Sequence, residues 1–234
     1  MSMSEPQWSS TGILLPGSVQ SAPAGAVGVD ADAIISSGTA AALVAAGFSF
    51  AVRYLSLGPR EDDGDLSSGE AETILQSGLA LMAVQHVPFP GWMPSKSPGA
   101  EYGQNAVANA QTVGLSPGVN IWLDLEGARR DTSPSDVIEY CNAWFAAVAN
   151  AGYLPGLYVG ADAILNGEQL YYDLEVDHYW QSGSDVPPVI DRGYCMAQTI
   201  SDRYDLDGFQ YDHNVIQADR LGNTPAWLVA TAQT

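Results

Sequence analysis

The chain has 234 residues, room for one large domain or two small ones, and a hydrophobic share of 46 % that supports a substantial core. Its formal net charge is -19, from 27 acidic against 8 basic residues. That balance excludes nucleic acid as a partner and disfavours an anionic membrane surface, because both need clustered Lys and Arg.

Residues 1–25 are rich in Ser, Pro and Gly, with neither a basic leader nor a long apolar run. They are expected to be a flexible N-terminal arm rather than a signal peptide, with one folded unit over residues 26–234. No window approaches the ~18 apolar residues of a membrane span, so no membrane insertion is expected. The chain is therefore expected to be made in the cytoplasm. Any action at the cell wall or outside the cell then needs non-classical delivery, by a secretion or phage-lysis system.

From Val27 onward, short β-rich runs alternate with Ala-rich helical runs. GAVGVD reads as a strand and SGTAAALVAAG as a helix. FSFAVRYLS is a strand, followed by the capped helix SSGEAETILQSG. LALMAVQHV and then AEYGQNAVANAQTVG repeat the pattern, as do GVNIWLDLEG and SPSDVIEYCNAWFAAVANAG. YLPGLYVG precedes a shorter helix, ADAILNGEQL. VDHYWQSG, GYCMAQTI and LDGFQYDHN complete eight strands. Ser133-Pro134 with Asp136 is a helix start: a cap, a first-turn proline and an acid at the positive helix end. Strand–helix–strand repeats make parallel sheet, because parallel neighbours need a crossover. The expected fold is a single, compact α/β chain: a TIM-like (β/α)8 barrel whose helices weaken toward the C-terminus. GVDADA, after the first strand, lacks the glycine-rich phosphate fingerprint of a doubly wound nucleotide fold.

Cys141 and Cys195 lie far apart in the chain and read as buried free thiols. No Cys/His cluster has zinc spacing. The acidic run Glu61 to Asp65 lacks the spacing of a calcium loop and reads as solvated. No metal and no cofactor are expected.

Active sites of such barrels form at the C-terminal strand ends. Here those ends carry Asp30, Arg53 and Tyr54, His86, Asp124 and Glu126, Tyr158, Trp180, Gln198 and Asp212. Residues i and i+2 of a strand share a face, so Asp124 and Glu126 should point the same way, with Glu126 nearer the mouth. Two neighbouring carboxyls resist full ionisation, so one can hold a proton near neutral pH. An acid beside a carboxylate is the equipment for glycoside hydrolysis. Glu126 is the candidate general acid, assisted by Asp124 and Asp30. Asp212, Tyr54, Arg53, His86, Tyr158, Trp180, Gln198 and Trp92 are candidate substrate-binding residues, the aromatic ones as stacking faces for sugar rings.

The motifs GVDAD, AVRYLS, NIWLDLEG, GLYVG and FQYDHN, in this order, resemble the glycoside-hydrolase-like domain family of unknown function numbered 1906, which is related to the glycoside hydrolase family 25 muramidases. The resemblance runs over about residues 26–222. It implies a compact barrel that cleaves the β-1,4 bond between N-acetylmuramic acid and N-acetylglucosamine. It also implies the first-strand acid at Asp30, the proton donor at Glu126 of the D-x-E pair, and a late acid at Asp212. The expected partner is thus a polysaccharide, peptidoglycan first. The insertions PREDDGDLSSG and PFPGWMPSKSPG depart from the family pattern and bear on the substrate. Two other readings stand beside this one: a catalytically silent carbohydrate-binding barrel, and a hydrolase of another glycan.

Overall fold

The computed structural model describes residues 14–200, 205–206 and 208–231. In chain order these form β1 (Ser18–Ser21), β2 (Val27–Ala31), α1 (Ser37–Ala45), β3 (Phe50–Leu55), α2 (Ser68–Gln76), β4 (Ala80–Gln85) and α3 (Lys96–Val113). There follow β5 (Asn120–Leu125), α4 (Pro134–Asn150), β6 (Leu154–Val159), α5 (Gly167–Tyr172), β7 (His178–Gln181) and β8 (Met196–Thr199). β9 (Asp205–Leu206), β10 (Phe209–Gln210), β11 (Asp212–Ile216) and β12 (Ala226–Val229) end the chain.

The strands β4-β3-β2-β11-β8-β7-β6-β5 follow one another, and β5 pairs back to β4, so eight strands close into a barrel. The α/β barrel expected from the alternating pattern is what forms. Helices follow the first five barrel strands; none lies between β7 and β8 or between β8 and β11 among the described residues. Without a helical crossover the last strand is free to reverse. β11 runs antiparallel to both β2 and β8, with Asp212 opposite Asp30 and Asn214 opposite Gln198. The start of β11 therefore lies at the same barrel end as the C-terminal ends of its neighbours.

The helix starts follow from their capping chemistry. Ser67 and Ser133 each accept a hydrogen bond from the backbone N–H three residues on, Glu70 and Asp136, and Pro134 opens α4. α5 begins at Gly167, later than the expected 161–170 run, because Asn166 and Gln169 form a reciprocal capping box there.

Strand alternation sorts the side chains into two cores. Val29, Ala51, Leu81, Leu123 and Leu157 face outward onto the helices. Phe50, Met82, Trp122, Trp180, Met196 and Ile216 fill the barrel. Trp122 fits because the neighbouring strand offers Gly156, where a Cβ would lie 2.3 Å from the indole ring.

Of the arm expected over residues 1–25, residues 1–13 lie outside the described residues, and residues 18–21 form β1. β1 pairs antiparallel with β12, and β12 pairs with β4 at Leu228 and Leu81. β4 and β5 join only from Ala83–Ile121 to Gln85–Leu123, so β12 occupies the lower part of that seam. There the Ala226 N–H donates to Asn120 Oδ1 at 2.7 Å, and Trp227 packs on Phe50 with centroids 5.5 Å apart. This end of the barrel is closed by side chains, which leaves the opposite end for a site.

Candidate active site

Asp124 and Trp122 are both on the inward face of β5, and Leu123 and Leu125 pack outward, as the alternation requires. Glu126 is the next inward residue, just past the end of β5. Gly160, after β6, makes room for it: a Cβ there would lie 2.5 Å from Glu126 Cβ and 2.8 Å from Oε2. Behind Glu126, Trp92 Nε1 donates to the Glu126 carbonyl oxygen at 2.9 Å. Its ring packs edge-on against Tyr140, centroids 4.9 Å apart. Trp92 therefore fixes the backbone that carries the acid rather than presenting an open stacking face.

Asp30, at the end of β2, is 4 % exposed. Its Oδ2 accepts from Gln198 Nε2 at 2.9 Å and from Asn214 Nδ2 at 2.6 Å. Both donors are themselves oriented. Tyr158 OH donates to Gln198 Oε1 at 2.8 Å, and Trp180 Nε1 donates to Asn214 Oδ1 at 2.9 Å. Gln198 Nε2 also reaches Asp212 Oδ2 at 3.4 Å. The floor of the pocket is thus a network in which each polar group's role is set by its neighbour.

Burial pushes the carboxyls toward their protonated forms. Burial raises Asp30 from 3.8 to about 7, against the two amide donors, which favour the anion; nearby Asp212 adds to the rise. Burial raises Asp124 well above the ordinary carboxylate range, with the charges of Glu126 and Asp30 adding to it. Asp124 Oδ1 is buried without a hydrogen-bond partner, which suits a neutral carboxyl better than an anion. Burial likewise raises Glu126 and the half-buried Asp212. Burial, with the charges of Asp30, Asp124, Tyr158 and Glu126 adding to it, raises Tyr54, inward on β3, well above the ordinary tyrosine range. Asp30, Asp124, Glu126, Asp212, Tyr54, Tyr158 and Gln198 are therefore brought into one pocket.

A raised acid makes stability depend on pH. Between about pH 4 and 7 the folded chain keeps the Asp30 proton and the unfolded chain loses it, so stability falls as pH rises through that window. At about 1.4 kcal/mol per unit, a shift of about three units sets a ceiling of about 4 kcal/mol. Asp30→Asn keeps an oxygen for both donors and cannot ionise. Relative to the parent it is expected to be more stable at pH 7.5 than at pH 4.5, by up to that amount; urea-unfolding midpoints at the two pH values give the comparison. An equal offset at both would mean that Asp30 ionises in the fold as it does in water.

Three expected binding residues are placed elsewhere. Arg53 is next to Tyr54 on β3, so the two cannot face the same side. It points outward, fully buried, and donates to Glu70 Oε1 at 2.6 Å, to Gly64 O at 2.7 Å and to Ala31 O. Trp180 faces inward but is 1 % exposed, packed edge-on against Tyr158 and Trp122. It lies below the pocket because β7 is only four residues long. His86 is at the rim. Its ring stacks on Tyr54 with centroids 4.5 Å apart, and its Nε2 is 2.8 Å from Asp65 Oδ1. Ser56 Oγ holds the other Asp65 oxygen at 2.5 Å. Asp32, Asp65 and His86 bring three potential metal-ligating atoms within 4.8 Å of one another. The short His86–Asp65 separation is that of a hydrogen-bonded pair.

Asn214, central to the network, was not among the expected site residues. Its spacing of two from Asp212 was the available signal, hidden by the assumption that the strand runs the other way. Gln210, within the LDGFQYDHN run expected to be the eighth strand, is exposed in the small β9–β10 pair.

A closed α/β barrel with buried, raised carboxyls gathered at the C-terminal strand ends has the layout of a glycoside-hydrolase-like protein. The chain belongs to the Rv2525c-like, glycoside hydrolase-like domain family, whose model matches residues 41–221. A similar solved structure is the Mycobacterium tuberculosis Tat-secreted protein Rv2525c, in complex with L-tartrate, at 17 % identity and a TM-score of 0.64; the match covers 86 % of this chain and 99 % of that one. A bacterial lysozyme from Streptomyces coelicolor matches at 16 % identity and a TM-score of 0.59, over 82 % and 93 % of the two chains. A family 25 glycosyl hydrolase from Bacillus anthracis matches at 16 % and 0.57, over 82 % and 89 %. At these identities the likeness is one of fold. No curated protein matches the chain. No helix among the described residues is long and apolar enough to cross a membrane.

Proposed function

We propose that the protein is a glycosidase of bacterial cell-wall peptidoglycan, with Glu126 as the general acid and Asp124 and Asp30 assisting. The observation that carries this reading is the carboxyl pair at the end of β5, in which burial raises both Glu126 and the deeper Asp124. Glu126 gives its proton to the glycosidic oxygen, the bond from that oxygen to the sugar's anomeric carbon breaks, and that carbon gains oxocarbenium character. The Asp30 carboxyl, raised to about 7, ionises near neutral pH and stabilises it, and water adds to the same carbon and yields a proton back to the pocket. Gln198 and Tyr158 hold Asp30 in place, and Asp212 and Tyr54 line the substrate's path. The lysozyme and family 25 relatives support the choice of glycan. That substrate places the action at the cell wall, reached by export or by lysis.

The test is incubation of the protein with purified cell walls, with reducing ends and fragment masses measured. Fragments with new N-acetylmuramic acid reducing ends are expected. Wall binding without new reducing ends would identify a carbohydrate-binding barrel instead, and release only from chitin or xylan would identify another glycan as the substrate.

A further inference from the structure

The segment from His86 to Trp92 is tied to the pocket at both ends. His86 stacks on Tyr54 at one end. At the other, Gly91 N–H donates to Gly127 O at 2.7 Å, Trp92 Nε1 holds the Glu126 carbonyl, and Trp92 bridges to Ala128 in parallel register. Pro90 packs over Gly127, which takes a left-handed φ of +61°. Between the two anchors stands Phe89, flanked by Pro88 and Pro90 and 94 % exposed.

That exposure is unusual in kind. A phenylalanine ring left in water forgoes roughly 1.5–3 kcal/mol of burial. Two prolines restrict the backbone, so the ring loses little further freedom when something binds it. Three other large apolar side chains are exposed on loops at this same barrel end: Ile34, Met93 and Ile200. The pocket floor is polar, and its rim sets these apolar side chains beside the polar group of Asp32, Asp65 and His86, a layout that can grip the faces of a chain while reacting with one bond in it.

We propose that Phe89 is a fixed stacking platform for a sugar ring next to the one undergoing reaction, so that the site takes a glycan chain of several units rather than a small glycoside. The proposal rests on the glycosidase reading and deepens it. An aromatic face offers a pyranose ring a flat apolar surface, and a platform tied to the backbone of Glu126 sets the register of the chain relative to the acid.

The test uses the Glu126→Gln protein, so that the probe is not consumed. The probes are peptidoglycan-derived oligosaccharides of two and eight sugars, with binding followed by calorimetry. Adding Phe89→Ala is expected to weaken binding of the eight-sugar chain about tenfold, to leave binding of the disaccharide unchanged, and to leave the melting temperature unchanged. Phe89→Trp is expected to bind the longer chain as the phenylalanine protein does. Equal affinity with and without the ring, an equal loss for both probes, or no binding of the eight-sugar chain by any of these proteins overturns the proposal. The glycosidase reading fails separately, if the parent protein releases no new reducing ends from purified walls.

Discussion

Glu126→Gln is expected to lower the rate of reducing-end release from purified walls by about a thousandfold, within the range of roughly 10²–10⁴ that a positioned general acid supplies. The amide matches the carboxyl in shape and cannot give up a proton. The fold should not suffer. Glu126 makes no ion pair among the described residues, and burial already raises its carboxyl, so removing the charge removes a cost. A melting temperature at or above the parent's, together with lost cleavage, is the expected pair of results. Cleavage at the parent's rate would remove Glu126 from the role.

Arg53→Met is expected to act the other way, on the fold before the chemistry. The guanidinium is fully buried and satisfies Glu70 Oε1, Glu70 Oε2 at 3.3 Å, and two carbonyl oxygens. Methionine fills much of the space and leaves Glu70 as a buried carboxylate with the Ile35 N–H as its remaining donor. Breaking one side of such a pair costs about 3–5 kcal/mol, and for a chain of this size each kcal/mol is worth about 2–4 °C, so the melting temperature should fall by about 10 °C. Arg53→Met combined with Glu70→Met should recover most of it, because no unpaired charge then remains. A fall of under 2 °C for the single variant would mean that water reaches Glu70.

The same pair shows how far sequence reasoning reached. The period of two places Asp124 and Glu126 on one face, and the structure has them so. Applied to Arg53 and Tyr54, the same rule allows one of them into the pocket and sends the other out. The eighth barrel strand was legible as a strand but not in direction, because direction depends on the crossover before it, and no helix lies between Thr199 and Asp212 among the described residues. That is why Asn214 escaped notice. Trp180 looked like a strand-end aromatic, yet its depth depends on where β7 stops, which no local pattern states. β1 finds its partner about two hundred residues along the chain, and a four-residue polar segment carries no trace of such a distant pairing.

The network around Asp30 has a consequence for how the molecule comes into being. Its two amide donors lie 168 and 184 residues further along the chain. A growing polypeptide that has made only its first six barrel strands has an aspartate on β2 that water still reaches, with the acidity of any surface carboxyl. The unusual proton affinity appears only when the ring shuts. Asp30 therefore acquires its raised proton affinity only once β8 and β11 are in place, and partial unfolding that frees β11 would abolish it.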